Sequence, residues 1–356
     1  MTALSPGSTI GILGGGQLGR MMAAAAAQLG YRCHIYAPEA DSVAAELSAA
    51  FTCAAYDDLT ALEAFAKSCD IVTYEFENVP AQPLKKIIGK AALRPGVAPL
   101  EISQDRVAEK NFAESHGGKA AAFMPVKNFN QLADAIDKIG TPAIAKTIRM
   151  GYDGKGQARL RKGSNLEHIW HDLGRQPIVV EALVEFDAEF SVILVRGADG
   201  EIRFWDSARN SHEGGILAQS TVPAGPMVES QVAKARILAS KIAEALDYVG
   251  VMTCEFFASS AGPIFNEMAP RVHNTGHWTI EGATTSQFEN HIRAICGLPL
   301  GDTSSTAERV EMHNLIGTKI PDIAKLLSDD EAHVHLYGKG QAKPGRKMGH
   351  VTRLYR

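Results

Sequence analysis

The chain of 356 residues is 45% hydrophobic, enough to bury two or three packed units. Its formal net charge of -4 is spread over mixed acidic and basic residues without a basic run, which argues against nucleic acid as a partner and favours small-molecule ligands. Five cysteines without a C-x-x-C pair, a start without a basic segment and apolar runs too short for a bilayer predict a cytoplasmic protein with no membrane partner.

The first 98 residues predict a Rossmann-like domain. Residues 8–13 form an apolar run that ends in three glycines, and the Ala-rich segment 17–30 favours a helix. Two further apolar runs, 31–37 and 71–76, continue an alternation of strands and helices. This alternation predicts a parallel sheet with crossover helices.

The central segment, 99–300, predicts a mixture of helices and strands and gives the whole chain an α/β (α+β) class. It begins with a small unit at about 115–185, in which a helix ends at Gly140 and strand 141–148 follows.

The second half of the central segment predicts an antiparallel sheet. An amphipathic helix is expected at 231–247 and another helix near 286–296, before a small C-terminal domain at 301–356. Turn residues separate three apolar runs that are expected to be neighbouring antiparallel strands, at 177–184, 189–196 and 201–207.

The first candidate site is the glycine turn. Gly14, Gly16 and Gly19 satisfy G-x-G-x-x-G between a strand and a helix, and Glu39 follows about 20 residues later, as in a dinucleotide site. Glycines at a helix N-terminus also suit a simple phosphate. A tight turn without a ligand remains a third interpretation, so this motif does not decide function.

A pair of glutamates is the second candidate site. Strands at 251–257 and 263–269 are joined by turn-forming residues, and a hairpin between them would set Glu255 opposite Glu267. Alternation also predicts that Phe265 shares the face of Glu267. Because facing like charges are destabilising, a divalent cation such as magnesium on a nucleotide phosphate would compensate. Two solvated glutamates on an exposed sheet are the alternative.

A lysine and a glycine-rich loop extend the candidate nucleotide site. Lys146 is the one charge in an apolar strand, where it is either a phosphate contact or a lysine that reaches the surface. In MGYDGKGQ, at 150–157, three glycines surround Lys155 and could fold their amides over phosphates. The loop lacks Walker spacing, and an ordinary hairpin turn is its alternative.

Four segments together resemble a known enzyme family. The order of Lys146, the glycine-rich loop and the glutamates is similar to the ATP-grasp superfamily. Within it, TYEFENVP, MGYDGKGQ, EMAPRVHNTGHWT and KPGRKMGHVT resemble the N5-carboxyaminoimidazole ribonucleotide synthase family over nearly the whole chain. The resemblance implies an ATP-grasp fold with an N-terminal Rossmann-like, biotin-carboxylase-like domain, two small sheets around ATP, and a homodimer.

The resemblance also implies site residues. Those implied to bind ATP are Arg106, Lys146, Gly151, Tyr152, Asp153, Gly154, Lys155, Gly156, Gln157, Glu181, Ala182, Leu183, Val184, Glu189, His212, Asn266 and Glu267. Those implied to bind substrate are Gly16, Gln17, Glu75, Tyr152, Asp153, Arg271, His273, Asn274, Lys339, Arg346 and Lys347. Glu255 and Glu267 would hold two magnesium ions, and Arg271, His273 and Lys155 would be catalytic.

The implied reaction converts ATP, bicarbonate and 5-aminoimidazole ribonucleotide to the N5-carboxylated nucleotide, ADP and phosphate through carboxyphosphate. Two positions depart from the family pattern: Val272 replaces a proline and Thr275 replaces a serine. Three rival interpretations remain: an NAD-dependent oxidoreductase, a non-catalytic nucleotide-binding regulator, and a sibling ligase that carboxylates biotin or transfers formate to glycinamide ribonucleotide. The first leaves the ATP-like residues unexplained, and the intact Lys146, Glu255, Glu267 and Arg271 argue against the second.

Overall fold

Five parallel strands form the N-terminal sheet of the structure, a computed structural model that describes residues 2–151, 156–318 and 321–356. Helix α1 packs on one face of this sheet and α2 and α3 pack on the other, because alternate strand residues are apolar towards both faces. The predicted parallel sheet is confirmed. In the spatial order β3-β2-β1-β4-β5, the strands are β1 Thr9–Leu13, β2 Arg32–Ala37, β3 Ala50–Cys53, β4 Ile71–Tyr74 and β5 Ala92–Leu93, and the helices are α1 Gln17–Gln28, α2 Leu59–Lys67 and α3 Ala81–Ile87.

A four-stranded antiparallel sheet forms the small unit of the middle region. Two helices, α4 and α5, lead into it, and α6 ends at Gly140, whose φ of 85° suits glycine. In the order β6-β9-β7-β8, the strands are β6 Phe123–Val126, β7 Ala143–Thr147, β8 Gln157–Leu160 and β9 Ile178–Ala182, and the helices are α4 Val97–Ser103, α5 Arg106–Ser115, α6 Asn130–Ile139 and α7 Leu166–Asp172.

Within the described residues, the largest sheet has nine strands, all from residues 188–355. Its antiparallel order is β15-β14-β10-β12-β13-β16-β18-β17, with β11 paired to β10. The strands are β10 Ala188–Arg196, β11 Ile202–Phe204, β12 Ala208–Glu213, β13 Ile216–Val222, β14 Gly250–Ser259, β15 Gly262–Ala269, β16 Arg309–Ile316, β17 Ala332–Leu336 and β18 Lys347–Tyr355. The helices are α8 Pro226–Ala245, α9 Thr279–Gly282, α10 Gln287–Ile295 and α11 Ile323–Leu327. The last three strands, β16 to β18, thus continue the central sheet. The predicted domain boundaries at residues 98 and 300 stay a prediction.

One predicted neighbour relation is wrong. The run 177–184 was expected to pair with 189–196, but β9 pairs with β7 and β6 instead. The chain leaves the small sheet after Ala182 and enters the central sheet at Ala188, so the intervening segment crosses between two sheets. Apolar periodicity identifies a strand but not its partner.

The residues at their N-termini explain where two helices, α5 and α8, begin. Helix α5 begins after Asp105, whose carboxylate accepts hydrogen bonds from the amides of Val107 and Ala108. Helix α8 begins five residues earlier than predicted, because Gly225 takes a φ of 87° and Pro226 occupies the first helical position. Among the described residues, no helix combines the length and apolarity that crossing a bilayer requires.

A buried histidine joins the N-terminal sheet to the central sheet. His291 on α10 is fully buried, and its Nδ1 accepts a hydrogen bond from the Val251 amide at 3.1 Å. Its Nε2 lies 2.9 Å from the Thr73 hydroxyl on β4 and donates to it, since a neutral imidazole has one donor and one acceptor. Burial lowers the pKa of His291 to about 3.

Candidate active site

A cleft of about 1140 Å³ lies where the three sheets meet. Nearly all described residues that the sequence singled out for ATP, substrate or metal line this one cleft. They are Gly16, Gln17, Glu75, Arg106, Lys146, Gly151, Gln157, Glu181, Ala182, Leu183, Val184, Glu189, His212, Glu255, Asn266, Glu267, Arg271, His273, Asn274, Lys339, Arg346 and Lys347. Gly156 does not line the cleft, and its carbonyl accepts a hydrogen bond from the Thr147 amide. Tyr152, Asp153, Gly154 and Lys155 lie outside the described residues.

The two glutamates face each other as the hairpin predicted. Glu255 on β14 is directly opposite Glu267 on β15. Burial and then the neighbouring Glu267 carboxylate raise the pKa of Glu255 to about 8. Burial would raise the pKa of Glu267, but Arg106, whose Nη1 lies 3.1 Å from its Oε2, together with Lys146 and Lys110 outweighs it and lowers that pKa. The protein alone therefore favours one negative charge on the pair over two.

A β-bulge overturns one prediction about this hairpin. Phe265 was expected on the same face as Glu267, but the register passes from Glu255 opposite Glu267 to Phe256 opposite Phe265, which leaves Asn266 as an extra residue. Phe265 therefore packs against Phe256 in the core, with ring centroids 5.9 Å apart. Asn266 lines the cleft beside Glu267.

Two lysines share one buried carboxylate at the small sheet. Lys146 on β7 lies 2.8 Å from Glu181 on β9, and Lys110 on α5 lies 3.3 Å from the other oxygen of Glu181. Burial lowers the pKa of Lys146. Burial would raise the pKa of Glu181, but the two lysines outweigh it and lower that pKa. The alternative that Lys146 is a lysine reaching the surface is wrong, since its side chain is 12% exposed and lines the cleft.

A second carboxylate in the cleft pairs with a histidine. Glu189 on β10 lies 2.6 Å from Nδ1 of His212 on β12. Burial would lower the pKa of His212, but the hydrogen bond to Glu189 and the charge of Glu255 raise it. This pair lies on the central sheet, across the cleft from the small sheet.

Arg271 and His273 follow the end of β15 and reach the cleft from the same segment. Arg271 forms an ion pair with Glu77 of the N-terminal domain. His273 has Nδ1 at 2.9 Å from the Thr275 hydroxyl and 3.7 Å from Glu255. Burial and the charge of Arg271 hold the pKa of His273 well below its usual value, so its imidazole is neutral.

The glycine turn binds a carboxylate of the chain itself. Gly16 donates its amide to Glu75 at 2.8 Å, and Gly19 donates to the other oxygen of Glu75 at 3.3 Å. Glu75 follows β4, so its charge lies at the N-terminus of α1, where a dinucleotide phosphate would sit. A Cβ at Gly14 would lie 2.4 Å from Glu75. The space and the donors that a dinucleotide requires are thus used internally.

Three basic residues near the C-terminus, here called the basic tail, reach the cleft from β18 and the loop before it. They are Lys339, Arg346 and Lys347. Lys347 is buried at the start of β18, and the Arg346 guanidinium donates to the Gln341 carbonyl at 3.2 Å. Lys339 lies over the Tyr337 ring, 5.6 Å from its centroid. The substrate residues that the resemblance implies at the N-terminal glycine turn and in this tail thus line one cleft.

Three residues in the cleft region were missed by sequence reasoning. Lys110, Glu109 and Glu77 contact residues of the cleft, and Glu109 and Lys110 are almost fully buried. Burial and the charge of Glu267 raise the pKa of Glu109 to about 8. A signal existed for the first two, since they follow Arg106 by three and four positions and so share its helix face. For Glu77 the signal is its place in TYEFENVP, one of the segments that resemble the family.

The donor set of the cleft fits magnesium on a nucleotide. Within residues 2–151, 156–318 and 321–356, no group of three or more His, Cys, Asp or Glu is arranged to hold a metal ion alone. Magnesium usually takes one or two carboxylates and completes its shell with phosphate oxygens and water. Glu255 and Glu267 provide that pair, since they face each other across the hairpin.

Comparison with known protein families locates three regions. Residues 7–104 match the ribonucleotide synthetase preATP-grasp domain, 111–288 the ATP-grasp domain and 311–356 the phosphoribosylaminoimidazole carboxylase C-terminal domain. The predicted ATP-grasp fold with a preATP-grasp domain and a small C-terminal domain is confirmed.

Similar proteins cover almost the full chain. The N5-carboxyaminoimidazole ribonucleotide synthase of Brucella melitensis is 47% identical over 99% of this chain and 98% of its own. The crystal structure of the Thermus thermophilus synthetase superposes with a TM-score of 0.91 at 44% identity, covering 98% of this chain and 93% of that one. The Aspergillus clavatus synthase in complex with ADP and 5-aminoimidazole ribonucleotide superposes with a TM-score of 0.89 at 29% identity, covering 98% and 94%. Together with the cleft, these similarities show that the chain belongs to the N5-carboxyaminoimidazole ribonucleotide synthase family of ATP-grasp ligases.

Proposed function

We propose that this chain uses ATP and bicarbonate to carboxylate the amine of 5-aminoimidazole ribonucleotide, with ADP and phosphate as the other products. The observation that carries the proposal is the facing pair Glu255 and Glu267, which lies in one cleft with Lys146 and Arg271. The pair suits a metal-bound nucleotide, and the two cations suit phosphate and a small carboxylate.

ATP is proposed to bind between the small and central sheets. Lys146 and Arg106 would contact its phosphates, and both are held near the site by carboxylates. Residues 181–184, at the end of β9 and the start of the segment that crosses to the central sheet, would offer backbone groups to adenine. Glu189, oriented by His212, would accept hydrogen bonds from the ribose hydroxyls.

Magnesium is proposed to be held by Glu255 and Glu267, with two ions expected from the family resemblance. Bound there, it would neutralise charge on the β- and γ-phosphates. Arg106 contributes by keeping Glu267 ionised, and Asn266 adds an amide beside it.

Carboxylation then follows in two steps. A bicarbonate oxygen attacks the γ-phosphorus and ADP leaves, which forms carboxyphosphate. The substrate amine attacks the carboxyl carbon, phosphate leaves, and the amine loses a proton. Arg271 would hold the carboxylate bidentately, and neutral His273, whose Nδ1 accepts from Thr275, offers Nε2–H as a donor. The protein contributes positioning and charge neutralisation in a site that limits hydrolysis.

The ribonucleotide is proposed to lie at the end of the cleft formed by the N-terminal turn and the basic tail. Lys339, Arg346 and Lys347 would bind its phosphate. Since Glu75 occupies the Gly16 amide, the tail is a better phosphate site than the turn, and Glu75 would accept hydrogen bonds from the ligand. Gln17 and Asn274 also line the cleft and belong to the proposed substrate set. Tyr152, Asp153 and Lys155, which lie outside the described residues, complete the proposed set.

Phosphate release from ATP, measured with each co-substrate present or omitted, tests this function. We expect release to be stimulated by 5-aminoimidazole ribonucleotide and a carboxylated product to require bicarbonate. Turnover with glycinamide ribonucleotide and formate, and none with the aminoimidazole nucleotide and bicarbonate, would mean that the chain is a different ATP-grasp ligase. A homodimer and a cytoplasmic location belong to the same proposal and rest on the resemblance and the composition.

A further inference from the structure

The edge of the central sheet bears the bulge that decides which side chain faces Glu255. If the register of Phe256 opposite Phe265 continued without a bulge, Glu255 would lie opposite Asn266. The extra residue instead brings Glu267 to that place. A slip of one residue at this edge would therefore put the Asn266 amide in the place of the Glu267 carboxylate in the proposed metal site.

Among the described residues, no strand pairs with β15 on its outer side to fix this register, and Phe265 forms only an isolated bridge with Ala120 there. An edge strand leaves alternate amides and carbonyls without ladder partners. The outward amides of β15 are those of Phe265, which donates to the Lys119 carbonyl at 2.7 Å, and Met268. In a regular strand, outward amides are two residues apart. Those of Phe265 and Met268 are three residues apart, because the bulge adds one residue between them.

Helix α5 contacts each of the three residues at the bulge. Lys110 Nζ donates to the Asn266 carbonyl at 3.1 Å, Arg106 Nη1 pairs with the Glu267 carboxylate at 3.1 Å, and Glu109 Oε1 accepts from the Met268 amide at 2.6 Å. Residues 106, 109 and 110 lie on one helix face, because positions three and four apart are adjacent.

We propose that Glu109 and Lys110 are positioning residues that hold the bulge from its outer side and so set Glu267 opposite Glu255. Glu109 is 3% exposed and Lys110 is 1% exposed, so neither group has water as a substitute partner. Lys110 also pairs with Glu181, which links the bulge to the small sheet. The expected effect on metal binding rests on the role proposed above for Glu267. The hydrogen bonds of Glu109 and Lys110 to the β15 backbone do not depend on that role.

Variants of Glu109 separate the hydrogen bond from the carboxyl group. Glu109→Gln keeps a carbonyl acceptor at the same reach, whereas Glu109→Leu has none. Glu109→Asp keeps the carboxyl group but is one methylene too short, and it provides a second test if Glu109→Leu does not fold. Hydrogen exchange of the peptide 262–269 in the nucleotide-free protein reports on the bulge, and Mn²⁺ binding in the presence of ADP, measured by electron paramagnetic resonance, reports on the site.

In Glu109→Leu and Glu109→Asp, we expect the amide hydrogens of the peptide 262–269 to exchange about tenfold faster than in wild type. Both variants should also bind Mn²⁺ about tenfold more weakly, as loss of one buried hydrogen bond implies. Glu109→Gln should restore both values to within about threefold of wild type. Unchanged exchange in Glu109→Leu and Glu109→Asp, or an equal loss in Glu109→Gln, would overturn the proposal. Faster exchange with unchanged Mn²⁺ binding in both Glu109→Leu and Glu267→Gln would instead refute the metal role of Glu267 and leave the hold on the backbone standing.

Discussion

The buried His291 should make the stability of the protein fall in mild acid by an amount that can be calculated. Its pKa is about 3 in the folded protein, against about 6.5 in an unfolded chain. The unfolded chain therefore takes up a proton that the folded protein refuses, so stability is fully present above pH 6.5 and is lost as pH falls towards 3. At pH 5, which is 1.5 units below the unfolded pKa, the loss from this residue is about 2 kcal/mol.

A matched variant isolates this effect from the other histidines. Glu or Asp in place of His291 would bury a charge, but His291→Gln keeps an acceptor for Val251 and a donor for Thr73 and does not titrate. Urea unfolding at pH 8 and pH 5 should show a loss between the two pH values that is about 2 kcal/mol smaller in His291→Gln than in wild type. An equal loss in both proteins would refute the assignment of this pH dependence to His291.

Three further predictions concern the cleft. Glu267→Gln should stay folded by circular dichroism while its magnesium-dependent ATP turnover falls, because the change relieves repulsion from Glu255 and weakens the metal site; unchanged turnover at low magnesium would contradict the pairing. Arg271→Ala should reduce carboxylated product about tenfold or more with ATP affinity nearly unchanged, as loss of a charge-assisted hydrogen bond implies, and equal losses in calorimetry and turnover would count against its role. NADH should not bind the wild type, because Glu75 occupies the Gly16 amide; stoichiometric NADH binding in a fluorescence titration would show this explanation to be wrong.

The sequence predicts the elements well because local patterns determine them. Alternating apolar runs identified the parallel sheet, and turn residues around Ala261 identified the hairpin that carries Glu255 and Glu267. The pairing of these two glutamates also requires the bulge at Asn266. What escaped prediction depends on contacts between distant segments. The partner of β9, the extra residue at Asn266 and the occupation of the glycine turn by Glu75 are each decided by residues far away in the chain.

The ion pairs within the cleft have a consequence for how a nucleotide enters it. Lys146 already faces Glu181, Arg106 faces Glu267 and Arg271 faces Glu77. An incoming triphosphate must therefore share or displace anions that are present before it arrives, so binding is an exchange of counterions more than a filling of an empty positive pocket. Because that exchange adds negative charge to the cleft, free ATP should be a poor ligand and the species that enters should carry its own cation.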